Sequence, residues 1–352
     1  MDVLVAFLHR YLSPFAAGVF VAGATVVDGV SMVVVILLAT ALSGFGIFYP
    51  EKACAQRGVA APQTWEALAD PALFGWVAIA DPTRSGSNRF CLDLILQRHG
   101  WEKGWGIIIR VAANARALLP SSTAVLENVS SGLCLAGLSV NFAAQQAAAA
   151  RRDGVLAYVS PTGASAITPD VSTIINYASS SRIAERFLRF CLSEQGQALW
   201  SLGSVPAVEG PENAVRSNRE TLFRYPVVPA MYEKFAGRLA VSDNPFQHTT
   251  DFKIDMGLEQ KQARIIGPLL LAACGESDNH ILLQRAWKAV IDAGLPADAL
   301  AELTRPPFDE ETAYDLGLKY ETSDESYGLA VDWASAFRKK YEKVLQMTAG
   351  AP

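Results

Sequence analysis

Hydrophobic and polar positions divide the chain into two regimes. Residues 11–50 hold a single charged side chain, Asp28. Within that stretch, Gly29–Tyr49 has the length and apolarity of a transmembrane segment. A signal peptide is a second reading, although only Arg10 supplies its basic start and no cleavage site stands out. A third is a set of buried strands and a core helix, because Val33–Leu38 is β-branched and aliphatic throughout. The pattern alone leaves all three open.

From Glu51 onward, short apolar runs alternate with segments of helical period. Pro62–Thr64 opens a short helix, with Thr64 as N-cap and Glu66 in its positive first turn. Gly75–Ala80 reads as a strand that stops at Asp81–Pro82. Ser87–His99 reads as a helix with Phe90, Cys91, Leu94 and Ile95 on one face and Gly100 as its stop. Further helices are predicted over Trp101–Ala117, Ala124–Ser130 and Ala143–Arg152, and strands over Leu133–Phe142 and Val155–Val159. Arg182–Trp200 reads as one amphipathic helix with Ile183, Phe187, Phe190 and Cys191 inward. After Gly203 the chain turns to Pro- and Asn-rich loops. It then returns to helices over Gln260–Ala273, His280–Ala293, Pro296–Leu303 and Tyr327–Leu345. Strands alternating with helices predict an α/β sheet covered on both faces.

Composition narrows the class. Half of the 352 residues are apolar, 18% are charged and the net charge is -5, which fits a folded protein with a large core and not a disordered one. Arg151–Arg152 and Lys339–Lys340 are too short to form a nucleic-acid surface, so no nucleic-acid partner is expected. The five cysteines, Cys54, Cys91, Cys134, Cys191 and Cys274, are widely spaced without a CxxC or Cys/His cluster, so neither a zinc site nor a disulfide frame is expected. Cys91, Cys134 and Cys191 sit among apolar residues and read as small buried hydrophobes.

The candidate chemistry is that of anion binding. Asp81-Pro-Thr-Arg-Ser-Gly-Ser87 leaves a strand and opens a helix, where free N–H groups favour negative charge. Gly86 permits close backbone approach, Ser85 and Ser87 add hydroxyls, and Arg84 or Arg89 adds charge. Ordinary serine capping explains the same residues structurally. Ser121, Ser122 and Thr123 form a second hydroxyl-rich loop before a helix. No nucleophile–base pair, GxSxG, Walker A, HExxH or correctly placed GxGxxG motif is present, so no catalytic residue and no enzyme activity is assigned. Asp309-Glu-Glu311 reads as a solvated helix start.

A family resemblance runs through the same segments. Ala41-Leu-Ser-Gly-Phe-Gly-Ile47, Thr64-Trp-Glu-Ala-Leu-Ala-Asp-Pro71, Gly75-Trp-Val-Ala-Ile-Ala-Asp-Pro82, Ser85-Gly-Ser87, Gly100-Trp101, Gly104-Trp105, Ala113-Asn-Ala-Arg116 and Leu192-Ser-Glu-Gln-Gly-Gln197 occur in order. Asn244-Pro-Phe246, Arg285-Ala-Trp287 and Leu303-Thr-Arg-Pro-Pro307 continue the series. Together they resemble the type 2 periplasmic binding proteins of ABC importers, specifically the iron(III)-type components. The resemblance implies an α/β protein of two lobes joined by crossing strands, with Gly44–Tyr49 entering the second lobe and Tyr158–Ile167 returning. It implies division into an apolar segment 1–40, a second lobe 41–165, and a return to the first lobe with C-terminal helices over 166–352. It also implies a small anion or metal–anion ligand facing Ser85, Gly86, Ser87, Ser121, Ser122, Thr123 and Asn141, and ABC permease subunits as partners. The location implied is the periplasm, with the N-terminus as a signal or membrane anchor.

Two departures qualify the resemblance. The relatives' Ile-Asp-Phe-Tyr is Val140-Asn-Phe-Ala143 here, which removes anionic oxygens that a hard cation needs. Ferric iron is therefore expected only as a transported ligand, and no protein metal site or cofactor is assigned. The relatives also carry a longer segment before the crossing strand, so the first lobe is expected to be incomplete. An alternative start, a damaged gene end or an anchor would each account for that. A membrane-anchored interaction protein with a vestigial cleft is the alternative functional reading.

Overall fold

The computed structural model describes residues 20–26, 32–151, 155–174, 180–202, 221–241, 244–247, 252–275 and 277–349. Its strands are β1 (Phe20–Val26), β2 (Met32–Pro50), β3 (Val77–Ala80), β4 (Ala115–Leu119), β5 (Ala136–Val140), β6 (Leu156–Val159) and β7 (Ile167–Ser172). The helices are α1 (Glu51–Gln56), α2 (Gly86–His99), α3 (Trp101–Asn114), α4 (Ser122–Ser130), α5 (Asn141–Ala150), α6 (Ser181–Leu192), α7 (Glu194–Ser201) and α8 (Ala230–Lys234). Five more follow: α9 (Met256–Cys274), α10 (Ser277–Asp292), α11 (Ala297–Thr304), α12 (Glu310–Thr322) and α13 (Ser326–Thr348). The α/β class expected from the alternation is what the chain adopts.

The apolar stretch that fits three readings is a strand over Met32–Pro50. No helix among the described residues is long and apolar enough to cross a membrane. Arg10, the basic start of the signal reading, lies outside the described residues. The β-branched run stays extended because β2 pairs along its whole length. It is antiparallel to β1 from Met32 to Leu38, to β7 from Leu38 to Gly44, to β5 from Phe45 to Phe48 and to β6 from Ile47 to Pro50. A Cβ on Gly46 would stand 2.1 Å from the Val159 carbonyl oxygen, so only glycine lets β6 approach at this point.

The chain divides into two compact units. Unit 1 comprises Met1–Gly44 and Ile167–Thr249, and unit 2 comprises Phe45–Ala166 and Thr250–Pro352. In unit 1, Ala39 and Leu42 of β2 pack with Ala198, Tyr225, Val227, Met231 and Phe235. The single helix expected over Arg182–Trp200 is two. Ser193 breaks it, its hydroxyl donating to the Phe190 carbonyl at 2.6 Å and accepting from the Gly196 N–H at 3.2 Å. The expected inward stripe is corrected in part: Ile183 and Phe187 are 65% and 64% exposed, whereas Cys191 is buried as expected, Phe190 is half-buried and Leu188 joins them. Helical periodicity marks an apolar stripe without saying what it faces.

Unit 2 contains the parallel strands. β3 pairs in parallel with β5 on one side and β4 on the other, giving the order β5-β3-β4. All four residues of β3 are buried. Val77 and Ile79 join the large core under α2, α3 and α9, whereas Ala78 and Ala80 join the cluster with Val125 and Val129 of α4. Burial on both faces is why β3 reads as a continuous apolar run. The helix expected over Trp101–Ala117 ends three residues early. Asn114 stops it by donating to the carbonyls of Leu68 and Asp70 at 2.9 and 2.8 Å while accepting from the Trp287 indole at 2.8 Å. Ala115 then pairs with Val77 and begins β4.

Candidate functional site

Each of the three parallel strands leads from its carboxyl end into the start of a helix: β3 into α2, β4 into α4 and β5 into α5. Neighbouring strands lie about 4.8 Å apart. This topology places Ser85–Ser87, Ser121–Thr123 and Asn141 along one edge of one sheet, with the Ser85 turn on the central strand. Free helix N–H groups accumulate at that edge.

The central turn is held from below. The Ser85 hydroxyl accepts from the Asn88 N–H at 3.3 Å and lies 3.4 Å from the Ser87 hydroxyl. Asn88 is fully buried. Its side chain accepts from the Ala80 N–H at 2.8 Å and donates to the Leu138 carbonyl at 3.3 Å, tying the start of α2 to β3 and β5 together. Asp81 closes the preceding turn by accepting from the Thr83 N–H at 2.8 Å. Ser85 is buried, Ser87 is half-buried and Gly86 is exposed. A Cβ added at Gly86 would meet nothing within 4 Å, so packing makes no demand for glycine there.

In the second loop, the Ser121 hydroxyl caps α4 by accepting from the Ala124 N–H at 3.2 Å. Ser122 is half-buried and Thr123 exposed. Asn141 is fully buried at the first position of α5. Serine capping, the bland structural role, is thus real for both Ser85 and Ser121. Gly86, Ser87, Ser122 and Thr123 carry no such cap.

The two arginines near the central turn differ. Arg89 is committed to carboxylates, Asp93 at 2.8 Å and Glu259 at 2.9 Å. Burial pushes the Asp93 carboxyl up to about 8, with Glu259 adding to the rise and Arg89 opposing it. Asp93 therefore holds its proton to higher pH than an exposed aspartate does. Arg84 is exposed and has no ion pair among the described residues. Neither the anchoring by Asn88 nor the burial of Asp93 was read from the sequence; an Asn one residue past a Ser-Gly-Ser turn is the only visible trace of the first. Among the described residues no group of three His, Cys, Asp or Glu is placed to hold a metal ion.

Residues 32–228 match the family model of bacterial extracellular solute-binding proteins. The chain belongs to this family. Its curated relatives include the phosphoglycerate transport regulatory protein PgtC of Salmonella typhimurium, 24% identical over 221 residues. That alignment covers 62% of this chain and 54% of the relative, so this solute-binding protein spans about half the length of the curated relatives it matches. Similar solved structures include the periplasmic binding protein AfuA from Actinobacillus pleuropneumoniae with exogenous fructose-6-phosphate bound. It has 19% identity and a TM-score of 0.49 over 74% of this chain and 69% of that one. Iron-bound HitA from Pseudomonas aeruginosa has 15% identity and a TM-score of 0.43 over 64% and 69%.

Proposed function

We infer that this chain is the solute-binding component of a bacterial ABC importer, working in the periplasm and delivering its ligand to permease subunits. It acts by binding and not by catalysis. Its ligand is a small anion, or a metal carried as an anionic complex, held at the carboxyl edge of the parallel β5-β3-β4 strands. Gly86 and Ser87 face it first, with Ser122 and Thr123 beside them; Ser85, Ser121 and the buried Asn141 shape the edge.

The observation that carries this reading is the convergence of three helix starts on one sheet edge, with an uncovered glycine at the central one. Hydroxyl and N–H donors gathered at helix starts suit an anion. Bare ferric iron would find no anionic oxygen among these side chains, so it would need an accompanying anion. The solute in the name of the relative PgtC is itself a small phosphorylated anion.

A thermal-shift panel of phosphate, carboxylates, polyamines and ferric complexes tests the reading. An anion should raise the melting temperature in a concentration-dependent way, by roughly the amount linkage gives for its affinity. A folded sample that no member of the panel stabilises would count against it.

A further inference from the structure

Beside the turn, unit 2 carries an open depression of about 670 Å³ between residues 82–89, the middle of α9 and the junction of α12 with α13. Arg84, Gly86, Arg89, Arg264, Pro268 and Tyr320 are among its lining residues. Arg264 is held at 2.8 Å by Glu321, and Arg89 by the carboxylates already described. Both guanidinium groups are ion-paired, Arg89 with Glu259 and Arg264 with Glu321, whereas Arg84 has no ion pair among the described residues. Pro268 lies inside α9 and has no N–H to give, so the Arg264 carbonyl loses its helical donor and remains an acceptor. The depression therefore combines one cation without an ion pair, a spare carbonyl acceptor, the side chain of Tyr320 and a carboxylate, Glu321, already paired with Arg264, and it meets the turn at Gly86.

We propose that this depression receives a small polyol phosphate, with Arg84 as the counter-charge of its phosphate monoester. The inference rests on the reading of the Ser85–Ser87 turn as ligand-facing. Arg84 supplies a charged donor and Gly86, which also lines the depression, a backbone N–H. A tetrahedral head with three acceptor oxygens satisfies donors from separate directions, which a planar carboxylate does not. The hydroxylated body lies over α9, where a hydroxyl donates to the Arg264 carbonyl.

The test is calorimetry near neutral pH with glycerol phosphate, inorganic phosphate and glycerate, on the parent and on R84Q, R84K, A263F and G86V, with melting temperature as the folding control. Ala263 lines the depression from α9 and is not part of the turn, so A263F fills the seat of the body. The parent should bind glycerol phosphate at least about tenfold more tightly than glycerate. R84Q should lose about tenfold or more for both phosphates, and R84K should recover part of it. A263F should lose glycerol phosphate and keep inorganic phosphate. If R84Q and A263F bind as the parent does while G86V loses affinity, the turn reading stands and this proposal falls. If G86V also binds normally, both fall. Equal affinity for glycerate, or no binding of any probe to the parent, overturns the phosphate assignment.

Discussion

Asp93 shows how one side chain sets the charge seen beside the turn. It is fully buried between Arg89 and the α2–α9 interface, one of its oxygens has no partner among the described residues, and its carboxyl is raised to about 8. The folded state holds a proton that the unfolded chain releases near pH 4. The stability associated with that proton is fully present below pH 4 and is lost as pH rises through about 8. Within that window the loss amounts to at most about 1.4 kcal/mol per pH unit. Asp93→Asn keeps the shape of the protonated acid, so urea denaturation from pH 5 to 9 should show a flatter profile and a variant more stable than the parent at the alkaline end. A parent profile that is already flat would refute the assignment. None of this was legible in the sequence, because an aspartate at a helical position reads as solvated until its packing partners are known. The serine caps were legible, because Ser85 and Ser121 act on backbone only three residues away. Asn88 was not, because it reaches Leu138, 50 positions on.

At the scale of elements, local signals fixed helix starts better than helix ends or strand partners. The start of α12 was visible as an acidic run, and the Asp309 carboxylate does accept from the Thr312 N–H at 2.8 Å. The end of α3 was invisible because Asn114 is stopped by Leu68, Asp70 and Trp287, all distant in sequence. β2 was ambiguous for the same reason: an apolar run of that length fits a strand, a membrane helix or a leader until its pairing is known. Gly46 is the sharpest point of that pairing. Gly46→Ala would press a methyl group onto the Val159 carbonyl and force β2 and β6 apart, at a cost of about 1–3 kcal/mol or more. Equilibrium denaturation should show the midpoint fall accordingly, whereas an unchanged midpoint would mean that β6 does not lie against β2 as described.

For the whole molecule, five free thiols stand against assignment to an oxidising compartment unless they are shielded. All five are buried, and burial raises every one, Cys134 to about 11. A thiol-specific chromogenic reagent should therefore label almost none in the native protein and all five after denaturation; rapid native labelling would remove this route to periplasmic stability. The family and the α/β class were legible because motif order survives where single motifs are weak. The orientation of the site was not, because the shared edge emerges only when β3, β4 and β5 pair across some sixty residues. The central claim is that this edge receives the ligand at Gly86. It is tested most directly by calorimetric titration of Gly86→Val beside the parent, with whichever solute of the panel stabilises the parent most. A Cβ meets nothing at that position, so the variant should melt with the parent yet bind at least about tenfold more weakly, as expected when a side chain blocks backbone contact with an anion. A variant that melts normally and binds as tightly as the parent would contradict the account and leave the turn a structural cap.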